Sequence, residues 1–252
     1  MGCSTSTRNE SDEKKKETPA DNAAGLTCKP CIDLKVGKGV FCCACNPDNY
    51  KDISPDGGAP LESKLIMMTM KPGEEDKPHE HPWHYMYIIS GGKVTITGAP
   101  FPETESKELE MKSGSGMVVP AGVHQVKNSG DTEVKILFIE VSEKKGETPE
   151  DHLAPQKTNP EHYKTLAEDN NWMVVKMEMK PGAEDLPHSH RDHIVFILGG
   201  DEITIWPGKE KGEQKLVVPI KAGAVLPVPT GYHIVKNTGK ETMSAVYFER
   251  AS

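Results

Sequence analysis

The stretch GEEDKPHEHPWHYMYIISG, residues 73–91, recurs as GAEDLPHSHRDHIVFILGG, residues 182–200, with its end glycines and three histidines at the same spacing. Each copy is followed by a Pro-x-Gly-x-His-x-x-x-Asn stretch, at 120–128 in the first copy and 229–237 in the second. Four histidines at matched positions in each half are typical of a metal site. The two sets hold eight of the ten histidines of the chain, which are His79, His81, His84, His124, His188, His190, His193 and His233.

The repeat extends beyond the histidines, since residues 46–51 reappear at 159–164 and residues 70–73 at 179–182. Each copy is about a hundred residues long, which is typical of a globular domain and too long for a solenoid repeat. We therefore predict a duplicated domain. The predicted segments are a polar tether at 1–26, a cysteine-rich segment at 27–45, a first barrel at 46–141, a linker at 142–158 and a second barrel at 159–252.

Short strands are predicted throughout both copies. Residues 174–179 alternate apolar and charged side chains, and the Lys-Pro-Gly that follows fits a type II turn. Residues 85–89 and 194–198 are apolar runs of strand length, and the Asn-x-Gly stretches at 128–131 and 237–240 are typical of hairpin turns. Many short strands without a helical period predict an all-β fold, a sandwich or jelly roll in each copy.

The composition of the chain argues against a membrane-spanning helix and against nucleic acid as a partner. The chain is 35% hydrophobic and lacks the long apolar run that a membrane-spanning helix requires. Its net charge is -8, and neither copy has a basic stripe, so nucleic acid is not an expected partner.

The histidine spacing indicates how a metal can be bound. Residues two apart on a strand point to the same side, so His79 and His81 can direct both imidazoles into a barrel. His84 is expected to open the next strand, and His124 to arrive from a strand distant in sequence. Imidazole suits Zn, Fe, Ni and Cu, although core or turn histidines with ordinary hydrogen bonds are the alternative.

These residues resemble the cupin superfamily, and residues 46–249 resemble a bicupin. The resemblance implies two tandem cupin jelly-roll β-barrels. It also implies metal ligands at His79, His81 and His124 in the first barrel and at His188, His190 and His233 in the second. His84 and His193 occupy the position of the family's glutamate, and both copies have a spacer one residue shorter than the common pattern. Bicupins include dioxygenases, isomerases, lyases and decarboxylases.

Four neutral imidazoles leave the charge of a divalent metal ion uncompensated, which favours an anionic substrate. The ion can be Fe, Ni, Mn, Cu or Zn. Four ligands would fill a tetrahedral zinc, whereas an octahedral ion would keep two open positions.

The leading hypothesis is a metal-dependent, dioxygenase-like enzyme acting on a small anionic organic molecule. The alternatives are a non-catalytic metal or small-ligand-binding protein tethered to a membrane, and a duplicated scaffold with empty sites. The sequence is compatible with a homo-oligomer.

No catalytic residue is identified from the sequence. The acidic turn residues Glu75, Asp76, Glu184 and Asp185 are candidate bases, but residues of this kind are usually solvated. Glu140 and Glu249 are expected at the surface or as linker anchors.

We expect any chemistry to occur in the first barrel. Trp83, Tyr85, Met86 and Tyr87 follow its ligand histidines and could frame the metal, although aromatic core packing is the alternative.

The first 45 residues contain all six cysteines. Cys28, Cys31, Cys42 and Cys45 can form a structural metal site, whereas loose thiols, a redox pair or further acylation are alternatives. Gly2 fits the N-myristoylation pattern, and Cys3 can add palmitate. No signal-peptide core follows Met1, so a cytoplasmic location is expected, on the cytosolic face of a membrane if the acyl motif is used.

Overall fold

The computed structural model describes residues 46–251, except for residues 57, 103, 143–145, 147 and 229. The chain forms two β-sandwich barrels in succession. The strands of the first are β1 (Tyr50–Asp52), β2 (Lys64–Met70), β3 (His79–His81), β4 (His84–Ser90), β5 (Gly92–Gly98), β6 (Ser106–Met111), β7 (Gly116–Val119), β8 (Gly122–Asn128) and β9 (Val134–Glu140). A 3₁₀ turn at Pro60–Glu62 precedes β2.

The second barrel repeats this order. Its strands are β10 (Tyr163–Glu168), β11 (Trp172–Met179), β12 (His188–His190), β13 (His193–Gly199), β14 (Glu202–Pro207), β15 (Leu216–Pro219), β16 (Val225–Val228), β17 (Gly231–Asn237) and β18 (Met243–Arg250). A four-residue helix, α1 (Pro155–Thr158), lies between the barrels in sequence. In the described part of the chain, no helix has the length and apolar character needed to cross a membrane.

Each barrel consists of a five-stranded and a four-stranded sheet with antiparallel pairing. The strand orders are β1-β2-β9-β4-β7 and β3-β8-β5-β6 in the first barrel, and β10-β11-β18-β13-β16 and β12-β17-β14-β15 in the second. The two orders coincide when each strand of the first barrel is matched to the strand nine places later. The prediction of an all-β fold with two tandem jelly-roll barrels is confirmed.

The Lys-Pro-Gly turns form as predicted. The amide of Glu74 donates to the carbonyl of Lys71 at 3.0 Å, which closes a four-residue turn with Pro72 and Gly73 in the middle. Gly73 has φ 80°, the value that the third position of a type II turn requires. The turn bends the chain from β2 toward the histidine strand β3.

The prediction that residues 128–131 and 237–240 form hairpin turns is wrong, because the strands that flank each turn do not pair with each other. The side-chain oxygen of Asn128 accepts from the amide of Gly130 at 3.0 Å, so a tight turn is present. The strands on either side nevertheless belong to different sheets, because β8 pairs with β3 and β5 whereas β9 pairs with β2 and β4. The turn crosses the edge of the sandwich, and β17 and β18 repeat this arrangement.

The five-stranded sheets are buried on both faces. Their inner faces pack into the core of their own barrel, and their outer faces share one apolar cluster that contains side chains of both barrels. The hydroxyl of Tyr85 crosses this interface and donates to the carboxylate of Asp169 at 2.8 Å. The interface cluster includes Tyr85, Tyr87, Leu137, Ile139, Trp172, Val174, Ile194, Phe196, Val246 and Phe248.

Candidate metal centres

The short strand β3 directs two histidines into the first barrel. His79 and His81 alternate with the half-buried Glu80, and both imidazoles are buried. His79 lies directly opposite His124 on β8, because these strands pair in antiparallel register. His84 is the first residue of β4, as predicted. The fold therefore brings together histidines that are up to 45 residues apart in sequence.

The ligand nitrogens of three histidines converge in this barrel. One nitrogen from each of His79, His81 and His124 lies within 4.8 Å of the other two. The Nε2 atoms of His79 and His81 are 2.7 Å apart. Adjacent nitrogens bound to one metal ion at about 2.0–2.1 Å lie roughly 3 Å apart, so this spacing is near that of two ligands of one ion.

The second barrel repeats the trio with His188, His190 and His233, whose ligand atoms also lie within 4.8 Å of one another. The ring centroids of His188 and His233 are 4.5 Å apart. His188 and His233 are directly opposite each other on β12 and β17.

The fourth histidine of each set lies beside its trio. The ring centroid of His84 is 4.9 Å from that of His81, and the ring of His193 stacks on His190 at 4.2 Å. Neither belongs to the group of three converging ligand atoms. Their role as fourth ligands stays a prediction.

Backbone carbonyls fix the outer nitrogen of several imidazoles. The Nδ1 atoms of His79 and His84 lie 2.7 and 3.0 Å from the carbonyl oxygens of Lys77 and Pro82. His188 and His193 have the same contacts with residues two positions earlier. A carbonyl oxygen only accepts, so Nδ1 carries the proton and the Nε2 lone pair is left for a ligand.

Glu140 and Glu249 do not lie at the surface, so the surface expectation for both is wrong. Both carboxyls are buried next to the central histidine of their trio. Glu140 Oε1 hydrogen-bonds Nδ1 of His81, and Glu249 Oε2 is 3.2 Å from Nδ1 of His190. Burial raises the pKa of both carboxyls. Hydrogen-bonded carboxylates of this kind orient metal-binding histidines and increase their basicity.

Asp76 and Asp185 are also buried, which corrects the expectation that they are solvated. Asp76 accepts from the hydroxyl of Tyr50 at 2.6 Å and from the amide of Val126 at 2.7 Å. Burial raises its pKa to about 7. Asp185 makes the matching contacts with Tyr163 and Val235. These carboxyls join the turn before the histidine strand to two other strands. Glu75 and Glu184 form isolated bridges to neighbouring strands.

The imidazoles are held in the form that binds metal. Burial lowers the pKa of His79, His84 and His188 to about 4 and that of His193 to about 3. Burial also holds the pKa of the other four well below 6.5. Neutral imidazole is the form that coordinates a metal ion.

One buried imidazole nitrogen has the properties of a metal ligand. Nε2 of His188 is buried and has no hydrogen-bond partner among the residues that the structure describes. Buried polar atoms are nearly always satisfied, so an exception requires an explanation. The neutral imidazoles, their converging nitrogens and this orphaned atom together fit a divalent metal ion.

Each trio adjoins a small cavity. The first cavity has a volume of about 110 Å³ and the second about 80 Å³. Apart from Tyr50 and the histidines, the walls of the first are apolar, with Met86, Phe138 and Ile136 among them. The wall of the second cavity contains two tyrosines. Tyr163 matches Tyr50, and Tyr247 lies at the position that matches Phe138.

Three of the four residues expected to frame the first metal lie elsewhere. Trp83 is 48% exposed, and Tyr85 and Tyr87 face the interface between the barrels. Because β4 alternates its side chains, only His84, Met86 and Ile88 point inward. The aromatic side chains that favoured chemistry in the first barrel therefore do not surround its histidines.

The remaining predicted sites lie outside the described residues. These are the candidate structural metal ligands Cys28, Cys31, Cys42 and Cys45, and the candidate acylation sites Gly2 and Cys3.

Residues 66–140 match the sequence profile described as a cupin domain, and this match coincides with the first histidine set. The match covers less than a third of the chain, and the second barrel repeats the topology of the matched one. The first barrel is therefore similar to cupin domains, and the chain folds as two tandem jelly-roll barrels of this kind. A comparison with curated proteins gives no significant match.

Several solved structures share this two-barrel fold. AerE from Microcystis aeruginosa superposes with a TM-score of 0.54 at 14% identity, covering 75% of this chain and 88% of that chain. The vicilin from Solanum melongena gives 0.56 at 16% identity, with 76% and 75% covered. A variant of oxalate decarboxylase from Bacillus subtilis gives 0.57 at 14% identity, with 80% and 72% covered. Identities this low establish the fold alone.

The roles of the two buried glutamates, Glu140 and Glu249, were not predicted from the sequence. Glu140 follows Phe138 and Ile136 at a period of two, which places all three on the inner face of β9. Tyr247 and Glu249 have the same relation in β18. The matched positions of the two glutamates in both copies were the available signal.

Proposed function

We propose that this protein binds one divalent metal ion in each barrel and acts as a metal-dependent, dioxygenase-like enzyme on a small anionic organic molecule. The observation that carries the proposal is the convergence of three neutral imidazoles in each barrel. The residues that would hold the ions are the two trios, with His84 and His193 as fourth ligands. A bound ion would supply Lewis-acid or redox chemistry.

The protein groups around the ions favour a particular kind of substrate. The proposed ligands are all uncharged, so an anionic group would compensate the charge of the ion. The cavity walls beyond the histidines are largely apolar. A small carboxylate with a short apolar part fits both properties. One similar structure is an oxalate decarboxylase, whose name denotes a small dicarboxylate as its substrate.

The buried side chains around each trio have distinct roles in this proposal. Glu140 and Glu249 hold the central imidazole in one orientation and one tautomer. Asp76 and Asp185 brace the turn that leads into the histidine strand. The apolar walls exclude water from the reacting groups, which strengthens electrostatic interactions there.

Metal analysis of histidine variants tests the ligand assignment. We expect wild-type protein loaded with Fe(II) or Mn(II) to hold about two ions per chain. His81→Ala and His190→Ala should each hold about one, because each removes a ligand from one barrel only. His162→Ala, which alters a histidine outside both sets, is the matched control and should hold two. Unchanged metal content in both ligand variants would refute the assignment.

Oxygen uptake tests the reaction. Metal-loaded protein should consume O₂ in the presence of at least one member of a panel of small carboxylates. The double variant His81→Ala/His190→Ala should not. Tight carboxylate binding without any turnover would favour the second candidate, a non-catalytic ligand-binding protein. The cavity linings favour this second candidate, because their described residues offer no titratable side chain besides the histidines and tyrosines to serve as a catalytic base.

We infer further that the N-terminal motif tethers the protein to the cytosolic face of a membrane. Two acyl chains, at Gly2 and Cys3, supply the two signals that stable anchoring needs. In a eukaryotic host, Gly2→Ala should move the protein from the membrane fraction to the soluble fraction. A wild-type protein that is wholly in the soluble fraction would contradict the tether. The reduced thiols expected at this location favour a structural metal over disulfides for the cysteine segment.

A further inference from the structure

The two barrels differ in polarity at a position that faces the histidines. Phe138 in β9 and Tyr247 in β18 occupy matched places in the repeat. The ring centroid of Phe138 is 5.5 Å from the ring centroids of His81 and His84. The ring centroid of Tyr247 is 5.2 Å from that of His190 and 5.9 Å from that of His193. The aromatic packing is thus the same, and only the hydroxyl is added.

The hydroxyl of Tyr247 is buried without a hydrogen-bond partner among the described residues. Leaving a buried hydroxyl unsatisfied is unfavourable, and the phenylalanine of the first barrel shows that the packing does not require it. The side chain lines the cavity of about 80 Å³ beside His190, His193 and His233. A group bound in that cavity would satisfy the hydroxyl.

The other polar groups of this wall are already engaged. The hydroxyl of Tyr163 donates to Asp185 at 2.7 Å, and His190 and His193 use Nδ1 in outward contacts. The remaining wall is apolar, with Val195, Ile205 and Leu226 among its residues. Among the described wall residues, the Tyr247 hydroxyl is therefore the hydrogen-bond donor left for a ligand besides the histidine nitrogens proposed to bind metal.

We propose that Tyr247 determines the ligand specificity of the second barrel by donating a hydrogen bond to a small carboxylate bound at its metal. The first barrel has no such donor at Phe138 and selects for a ligand without this acceptor, or holds its carboxylate more weakly. This inference rests on the proposed function, because it requires a metal ion among His188, His190 and His233. The two barrels therefore differ in ligand preference or in ligand affinity, although their histidines match.

Acetate binding to cobalt-loaded protein tests the inference. The His81→Ala background, with Cys28, Cys31, Cys42 and Cys45 replaced by serine so that the cysteine-rich segment takes up no cobalt, restricts Co(II) to the second barrel. There the visible absorption of the ion reports on ligands at the metal. We expect Tyr247→Phe to keep the cobalt content and raise the Kd for acetate about tenfold, as expected for loss of a hydrogen bond to a charged group. Acetate should also perturb the near-ultraviolet tyrosine absorption, and Tyr247→Phe should lose this change.

The first barrel provides the reciprocal control. In the His190→Ala background, Phe138→Tyr should lower the Kd for acetate, because it supplies the donor at the matched position. An unchanged Kd in both variants, with cobalt content intact, would overturn the inference and assign the hydroxyl to a buried water. Loss of cobalt in Tyr247→Phe would overturn it in favour of a metal ligand. Absence of cobalt from the parent proteins would instead refute the proposed function, and this inference with it.

Discussion

At the scale of single residues, the histidines of each trio differ in what holds their outer nitrogen. His79 is held by a backbone carbonyl, which is always present and cannot be lost by substitution. His81 is held by the side chain of Glu140. The orientation of the central histidine therefore depends on a buried carboxyl group, and Glu140 and Glu249 are residues through which metal affinity can be adjusted.

Glu140→Gln should weaken metal binding in the first barrel about ten- to a hundredfold, because the amide is a poorer acceptor for the proton on Nδ1 of His81. Competition with a chelator measures the change. Glu133→Gln is the matched control, since Glu133 is an exposed partner of Lys135 and should not affect affinity. Equal affinities in wild type and Glu140→Gln would show that the hydrogen bond does not contribute to binding.

At the scale of elements, the turn before β3 positions the histidine strand. The turn depends on Gly73, whose φ of 80° is unfavourable for other residues, and Gly182 repeats it. A Cβ at Gly73 would meet no atom within 4 Å, so the conformation alone opposes substitution.

Gly73→Ala should therefore lower the free energy of unfolding by about 1 kcal/mol. Urea unfolding measures the loss. Gly212→Ala serves as the control, because Gly212 has open surroundings and is not among the glycines with positive φ. A Gly73→Ala protein as stable as Gly212→Ala would argue against the type II turn.

The elements also show what could be predicted from the sequence. The period of two, the Lys-Pro-Gly turns and the histidine spacing predicted the strands and the histidine clusters correctly. The facing of β4 could not be predicted, because both faces of this strand are buried and no polar side marks the solvent. Tyr85 was therefore placed near the metal, whereas it packs against the other barrel. The hairpin error arose because a tight turn does not reveal whether its flanking strands pair.

The burial of Glu140 could not be predicted from the sequence either. A charged residue at the end of a strand usually faces water, and only the partner on β3 makes burial favourable at this position. That partner is 59 residues away in sequence.

At the scale of the whole molecule, the shared apolar cluster ties the stability of one barrel to the other. Leu137 belongs to this cluster and is fully buried. We expect the described region to unfold in one cooperative transition. Leu137→Ala should shift this transition to lower temperature as a whole, with a loss of about 2–5 kcal/mol.

Calorimetry of wild type and Leu137→Ala measures this effect. Two transitions, of which only one responds to the substitution, would show that the barrels unfold independently. Val126→Ala, which alters the core of the first barrel away from the interface, provides a comparison for packing loss without interface loss.

The apolar outer faces of the five-stranded sheets also determine how much the linker contributes to the association of the two barrels. A linker holds its two ends at an effective concentration in the millimolar range, so it assists two surfaces that already complement each other. Residues 46–141 and 142–252, expressed as separate polypeptides in one cell, should therefore find each other and copurify as a split protein. Expressed singly, each half should self-associate or aggregate, since its outer sheet lacks the complementary fragment.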